Sequence, residues 1–243
     1  MAENVEAREA PAAAERETRS LNHFGVYGFT DEFWRLSADE RGATHDRLME
    51  ALEGAAQAVH PYQLFPMESA ADLMVWTAVN VDGVGHPKRF FEDLARAMSP
   101  FRRYLEARHS LWGFTRPSQY SRAKSAQEMD PFPAERSPYL VVYPFTKTTD
   151  WYLLGPDTRQ GMMNEHIKIG KQYTEISQLL LYSAGLQDQE FVVVYETEDL
   201  GLFSQLVKDL RDTEARRYTK NDTPVHTGLF YPRGRGETVW AGS

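Results

Sequence analysis

The chain has 243 residues, 42% of them hydrophobic, which is enough for one large domain or two fused ones. Its formal charge of −8 argues against a nucleic-acid-binding scaffold, and its apolar runs are too short for a transmembrane helix. The absence of cysteine excludes disulfides, thiolate catalysis, iron–sulfur clusters and any zinc or haem centre with cysteine ligands.

Residues 1–20 are rich in alanine and glutamate and have no apolar segment of the kind found in a signal peptide. They predict a flexible, solvated arm and a cytoplasmic protein without membrane or nucleic-acid partners.

Residues 21–115 form the first of two halves that follow the same pattern. β-branched and aromatic runs predict strands, and apolar residues three or four positions apart predict helices. The predicted strands are residues 21–29, 61–65, 72–79 and 109–115, and the predicted helices are residues 38–59 and 87–106.

Residues 116–137 are polar and contain three prolines, which is typical of a linker that crosses the mouth of a barrel. Residues 138–232 form the second half, and residues 233–243 are a tail. The predicted strands of this half are residues 139–145, 176–183, 190–197 and 225–231, and the predicted helices are residues 156–172 and 200–217.

Each half has the order β-α-β-β-α-β, which is the ferredoxin-like unit. The predicted fold class is therefore α+β, with two ferredoxin-like halves that form an antiparallel β-barrel and carry their helices outside.

His166 is the most informative side chain of the second half. It shares the apolar stripe of its predicted helix with Met162 and Met163. The stripe of the helix over residues 200–217 continues to Glu214, whose carboxylate could accept the Nδ1 proton of His166 and leave Nε2 as a metal ligand. The same spacing also fits a buried His–Glu pair without any ligand.

A second group of candidates lies at the end of the strand before this helix. Tyr143 and Lys147 are placed where side chains can enter a cavity, although Lys147 also fits an ordinary surface lysine. Trp151 is more typical of a core aromatic. One of Arg216 and Arg217 is expected to face an anionic ligand.

Several common sites are absent from the sequence. It has no glycine-rich phosphate loop before a helix, no HExxH motif and no Gly-x-Ser-x-Gly elbow. A single histidine on a helix, beside an apolar and aromatic cavity, is compatible with an axial ligand of haem iron.

These residues resemble the haem-binding core of the chlorite dismutase superfamily, which includes the coproheme decarboxylases of haem biosynthesis. The resemblance is specific in the second half and weaker in the first. It is carried by residues 143–147, 151–154, 162–166, 181–186, 191–196 and 214–217.

The resemblance implies that His166 is the proximal iron ligand, that Glu214 accepts its Nδ1 proton and that Lys147 lies near the proximal side or a propionate. It also implies a cofactor, either Fe-coproporphyrin III or haem b. Because the first half is long, the resemblance implies a homo-oligomeric ring of five or six subunits.

Two positions divide the activities of this family. Chlorite dismutases carry a distal arginine thirteen residues after the proximal histidine, and this chain has Leu179 there. A leucine cannot orient an anionic oxidant. Coproheme decarboxylases resemble this chain in having a tyrosine at the place of Tyr143, which they use to oxidise a propionate.

The predicted function is therefore decarboxylation of Fe-coproporphyrin III to haem b with hydrogen peroxide. In it Tyr143 acts as the radical relay, while Lys147 and Arg217 bind propionates, and Trp151 and Leu179 line the cofactor site. The alternatives are a chlorite dismutase or weak haem peroxidase, and a non-enzymatic haem carrier or sensor.

Overall fold

The computed structural model describes residues 19–118, 120 and 126–232, so the N-terminal arm before Arg19 and the tail after residue 232 lie outside the described residues. Within these ranges the chain forms nine strands and six α-helices. The strands are β1 (Arg19–Phe29), β2 (Ala58–Gln63), β3 (Leu73–Val81), β4 (Leu105–Phe114), β5 (Tyr139–Lys147), β6 (Ser177–Tyr182), β7 (Phe191–Thr197), β8 (Thr219–Asn221) and β9 (His226–Phe230). The helices are α1 (Asp31–Trp34), α2 (Ala38–Glu53), α3 (His86–Met98), α4 (Thr149–Leu153), α5 (Pro156–Gly170) and α6 (Leu200–Arg211).

Eight of these strands close into one antiparallel ring. The order β7-β6-β4-β1-β3-β2-β9-β5 returns to its start because β5 also pairs with β7, and β8 adds to the outside of β5. The first half contributes β1 to β4 and the second half β5, β6, β7 and β9. The predicted fold class, two ferredoxin-like halves that share a closed sheet, is confirmed.

Three predicted helices are shorter in the structure than the sequence pattern suggested. The helix predicted over residues 38–59 begins with a capping box between Ser37 and Glu40 and ends at Glu53, since Ala58 already belongs to β2. The helix predicted over residues 87–106 ends at Met98, and β4 begins at Leu105.

The helix predicted over residues 200–217 is also divided. Helix α6 ends at Arg211, and Glu214–Tyr218 is a separate 3₁₀ helix. The two short helices α1 and α4 and the short strand β8 have too few residues to show a periodic pattern in the sequence.

Two side chains of the linker, Met129 and Arg136, contribute to the interior of the ring. Met129 lies among the apolar side chains inside the ring, and Arg136 forms a two-pronged ion pair with Glu196 of β7, with N–O distances of 2.6 and 2.7 Å. Both charged side chains are nearly fully buried. A carboxylate on the inner face of a strand requires such a partner, so the linker helps to stabilise the interior.

In the part of the chain that the structure describes, none of the helices is both apolar enough and long enough to cross a lipid bilayer.

Candidate functional site

The second half has a sheet surface that faces its helices. Along β5, Leu140 and Val142 point into the ring, whereas Val141, Tyr143 and Phe145 belong to the cluster beneath the helices. Residues opposite each other on neighbouring antiparallel strands share a face. The register therefore gives three rows across β5, β7 and β6, which are Val141–Tyr195–Gln178, Tyr143–Val193–Leu180 and Phe145–Phe191–Tyr182.

Helix α5 packs on this surface through Ile169 near its C-terminal end. None of its fifteen residues is buried, even though it carries Met162, Met163 and Ile167, and its main packing is against α6 and the 3₁₀ helix. On the sheet, Leu180 keeps 39% of its surface exposed. We call the space between α5 and the three rows the α5 slot. An apolar helix face that buries nothing against an apolar wall is typical of a ligand site.

His166 lies in the middle of α5, and its environment favours the neutral imidazole. Burial, and then the positive charge of Lys147, lower the pKa of His166 to about 4. The Nδ1 atom of His166 is buried and has no hydrogen-bond partner among the described residues. A neutral imidazole with an unsatisfied nitrogen has the properties of a metal ligand whose orienting partner is not yet engaged.

The chemistry of the site is consistent with iron held in a macrocycle. Among residues 19–118, 120 and 126–232, no three His, Asp or Glu side chains converge to hold a metal ion. A metal bound through His166 would need its remaining ligands from another molecule, and the four nitrogens of a porphyrin supply them. The residues present therefore fit haem.

The predicted bond between Glu214 and His166 is not made in this structure. Because α6 ends at Arg211, Glu214 starts the 3₁₀ helix instead of continuing the stripe of α6. Its side chain is 57% exposed and lies 3.1 Å from Arg217 Nε, while its backbone N–H donates to Glu165 Oε2 at 3.3 Å. Glu214 therefore lies beside α5 and contacts Glu165, the residue before His166 in the chain. Its role as a partner of His166 stays a prediction.

The cationic side of the slot is formed by Lys147 and Arg216. The Lys147 ammonium lies 4.4 Å from the ring centre of Trp151 and donates to the carbonyl of Ala215 at 3.4 Å. Burial, and then the nearby Arg216, lower the pKa of Lys147 to about 8. Trp151 is buried, as expected for a core aromatic, and it forms the surface on which Lys147 lies.

The structure favours Arg216 over Arg217 as the inward-facing arginine. Arg217 is 76% exposed and pairs with Glu214, whereas Arg216 is close to Lys147 and is held by Asp222. The prediction that Arg217 contacts a propionate therefore passes to Arg216. The single turn of 3₁₀ helix points the two neighbouring side chains in different directions.

Tyr143 lies in the middle row of the wall. Its ring stacks on that of Tyr195 with centres 6.1 Å apart, and its hydroxyl bonds to the Tyr195 hydroxyl. Burial, and then the Tyr195 hydroxyl, raise the pKa of Tyr143 well above 10, so the phenol is fully protonated at neutral pH. A buried, hydrogen-bonded phenol of this kind can supply a hydrogen atom.

Leu179 does not face the slot. It is 4% exposed and packs inside the ring opposite Val194, so the predicted contact between Leu179 and the cofactor is wrong. Its two neighbours in the strand, Gln178 and Leu180, occupy the helix-facing side. Val192 and Val194 of β7 point into the ring, and Leu179 lies opposite Val194, so the strand register shows that Leu179 also points inward. A count of residues from His166 does not show which face of β6 a side chain takes.

Comparisons with known proteins identify a family for this chain. A family model described as chlorite dismutase matches residues 38–231. The coproheme decarboxylase of Mycolicibacterium smegmatis is 29% identical over 169 residues, which cover 69% of this chain and 70% of that protein. The chlorite dismutase of Ideonella dechloratans is 22% identical over 219 residues, covering 86% of this chain and 75% of that protein.

Solved structures show the same fold. A chlorite dismutase from Candidatus Nitrospira defluvii in complex with imidazole superposes with a TM-score of 0.76 at 22% identity. The match covers 91% of this chain and 95% of that one. At this identity the likeness concerns the fold alone.

Proposed function

Because the chain belongs to the chlorite dismutase family, we propose that it binds Fe-coproporphyrin III in the α5 slot and decarboxylates it to haem b with hydrogen peroxide. The observation that carries this proposal is His166, a half-buried and neutral imidazole whose Nδ1 atom is buried and has no partner among the described residues, on a helix with no fully buried residue. The coproheme decarboxylase similar over two thirds of the chain supports the choice of reaction.

The composition of β6 argues against efficient conversion of chlorite. The strand reads Ser-Gln-Leu-Leu-Leu-Tyr and has no arginine. Its helix-facing residues Gln178, Leu180 and Tyr182 offer one neutral amide, one apolar side chain and one phenol, and none of them carries a positive charge. None of these groups can hold an anionic oxidant as an arginine does, by a hydrogen bond from a cation. Gln178 remains able to donate a hydrogen bond to peroxide.

In the proposed complex, His166 Nε2 would hold the porphyrin iron, and Glu214 would leave Arg217 and accept the Nδ1 proton of His166. Both partners of this exchange are more than half exposed at present, so little stability is lost when they separate. The bound iron supplies the redox chemistry with peroxide. The chain positions the substrate and controls protons.

Tyr143 is the proposed relay between iron and propionate. Loss of one electron, with its proton passing towards Tyr195, would turn Tyr143 into a phenoxyl radical. This radical would remove a hydrogen atom from the β-carbon of a propionate and so become a phenol again. Loss of one more electron and of carbon dioxide leaves a vinyl group. Each propionate consumes one hydrogen peroxide and one proton and gives one carbon dioxide and two waters.

Lys147 and Arg216 are the proposed contacts for propionates near this relay. A half-buried ammonium and a neighbouring guanidinium provide donors for carboxylates that lose water on binding. The presence of Lys147 on the ring of Trp151 fixes its position before the substrate arrives.

The test is anaerobic loading with Fe-coproporphyrin III, followed by titration with peroxide and mass measurement of the porphyrin. We expect the loss of two carbon dioxide molecules and four hydrogens in two steps, and a Soret band that is lost or strongly shifted in His166→Ala. Dioxygen release from chlorite without any change in porphyrin mass would assign a chlorite dismutase instead. Transfer of intact porphyrin to an acceptor protein, without turnover, would assign a carrier.

A further inference from the structure

The N-terminal end of α5 holds a second nitrogen without a partner. Arg159 Nε is buried, and it has no hydrogen-bond partner among the described residues. Arg159 precedes His166 by seven residues, which is two helical turns, so the two side chains share one face of α5 about 10 Å apart along the axis. Leaving a charged group partly desolvated and unpartnered is costly unless a ligand completes it.

The surroundings place Arg159 at one end of the α5 slot. The C-terminal end of α5 packs on the row of Val141 and Tyr195 through Ile169. The N-terminal end is joined to Tyr120 of the linker, whose carbonyl accepts from Gln160 at 3.3 Å. Tyr182, in the outermost row, has a pKa that burial raises, and Tyr120 is close enough to add to this effect.

Neighbouring groups leave Arg159 available. The phenol of Tyr152, close to Arg159, has a pKa that burial and a hydrogen bond to Glu190 raise. The Glu190 carboxylate also accepts from the backbone N–H of Lys147 at 2.8 Å. Among the described residues no acidic side chain is paired with Arg159, whereas Arg216 and Arg217 each have a carboxylate partner.

We infer that Arg159 binds a peripheral carboxylate of the porphyrin at the N-terminal end of α5, apart from the propionates held near Lys147 and Arg216. The inference rests on the proposed function and adds a residue that selects for its substrate. Two separate cationic positions favour a porphyrin with four carboxylates over one with two. In haem b both carboxylates can bind near Lys147 and Arg216, so Arg159 would contribute little.

The test compares the affinities of the intact chain for Fe-coproporphyrin III and for haem b, by quenching of tryptophan fluorescence and by the Soret band. Arg159→Gln should weaken binding of Fe-coproporphyrin III about 10- to 100-fold, the value of a charge-assisted hydrogen bond, and binding of haem b less than about 3-fold. Arg159→Lys should recover part of the loss. Lys168→Gln, on the exposed side of the same helix, is the matched control and should change neither affinity by more than about 2-fold.

Each outcome has a separate meaning. If the unaltered chain binds neither porphyrin, the proposed function fails and this inference fails with it. If the unaltered chain binds both through His166 while Arg159→Gln binds as tightly as before, or loses equal affinity for both, only the inference is overturned. Because Arg159 Nε makes no bond in this structure, unfolding by heat should show that the variant remains folded.

Discussion

Three buried polar atoms without a hydrogen-bond partner among the described residues lie around α4 and α5, and His23 Nδ1 is another in the first half. Thr148 Oγ1, Arg159 Nε and His166 Nδ1 are all buried without a hydrogen-bond partner among the described residues. Each such atom costs about 1–3 kcal/mol of stability, and native structures keep few of them. Three in one region indicate that the free chain is organised for a ligand which later supplies the missing bonds.

The role of Tyr143 gives a sharp prediction at this scale. Tyr143→Phe removes the hydrogen atom donor but keeps the ring that stacks on Tyr195, so affinity for Fe-coproporphyrin III should stay within about 3-fold. Peroxide should then release no carbon dioxide, as measured by the mass of the porphyrin. The matched control is Tyr195→Phe, which removes only the acceptor of the proton and should slow the reaction without stopping it. Full turnover by Tyr143→Phe would remove Tyr143 from the mechanism.

The site residues differ in how far the sequence could reveal them. His166, Tyr143 and Lys147 lie on long, regular elements. Lys147 is close to His166, since its charge, after burial, contributes to the lowered pKa of His166. Gln178 and Leu180 were missed because counting residues ignores which face of β6 a side chain takes. Arg159 and Arg216 depend on burial and partners, which no periodic pattern contains.

Two helices of similar length show what distinguishes α5 as an element. Both α3 and α5 have a proline in the first turn. Helix α3 buries Phe90 and Leu94 against the first half, whereas α5 buries nothing. Most helical stability in proteins comes from packing of an apolar face, so α5 should be the less stable of the two.

This difference predicts a specific change on porphyrin binding. We expect backbone amides of α5 to exchange with deuterium at least about ten times faster than those of α3 in the free chain, and to slow strongly when porphyrin binds. Amides of α3 should be unaffected and serve as the internal control. Hydrogen exchange read by mass spectrometry measures both helices at once. Equal protection of α5 with and without porphyrin would contradict a binding site beneath it.

The ends of elements were the part of the fold that the sequence predicted least well. Leu200, Phe203 and Leu210 form a regular apolar stripe, and helical spacing would place Glu214 on the same face. The helix nevertheless ends at Arg211, before it reaches Glu214. Asp212 and Thr213 favour hydrogen bonds to their own neighbourhood over helix continuation, and the Thr213 hydroxyl donates to the carbonyl of Leu210. The spacing of apolar residues does not reveal this local competition. Glu214 therefore begins a separate 3₁₀ helix instead of extending α6.

At the scale of the whole molecule, two buried histidines make the core sensitive to acid: His60 lies inside the ring beside Trp76, and His23 lies beneath α3 beside Phe91. Burial lowers the pKa values of His23 and His60 to about 4. For His60, the hydrogen bond to the Pro131 carbonyl opposes this shift, and the positive charge of Arg136 adds to it. In the unfolded chain both histidines regain a pKa near 6.5. Between pH 6.5 and 4 the unfolded chain therefore binds more protons, so the free energy of unfolding falls as pH falls.

The size of this effect is testable. Between pH 6.5 and pH 4, each histidine should lower the free energy of unfolding by about 3 kcal/mol. Above pH 7.5, neither histidine should contribute to the slope of this free energy against pH. Near pH 5, His60→Asn should reduce the slope of unfolding free energy against pH by about 1.4 kcal/mol per pH unit, measured by urea denaturation. An unchanged slope would mean that His60 is already protonated in the folded protein.

The two halves meet at two seams, and each seam contains a close approach to a glycine. The β4–β6 seam pairs Phe114 with Tyr182, and the β2–β9 seam includes the pair Tyr62 and Phe230. A Cβ atom on Gly113 would lie 2.9 Å from the Tyr182 carbonyl oxygen. One on Gly228 would lie 2.7 Å from Tyr62 Cβ.

Both distances are shorter than real Cβ contacts, so closure of the ring depends on these glycines. Gly113→Ala and Gly228→Ala should each lower the free energy of unfolding by about 1–3 kcal/mol, because backbone and core atoms must move apart. Gly161→Ala in α5 is the control, since its new Cβ meets nothing within 4 Å and should stabilise the helix by about 0.5–1 kcal/mol. Urea denaturation of the three variants measures the difference. If Gly113→Ala were as stable as the unaltered chain, β4 and β6 would be farther apart than this register requires, and the halves would not share one closed sheet at that seam.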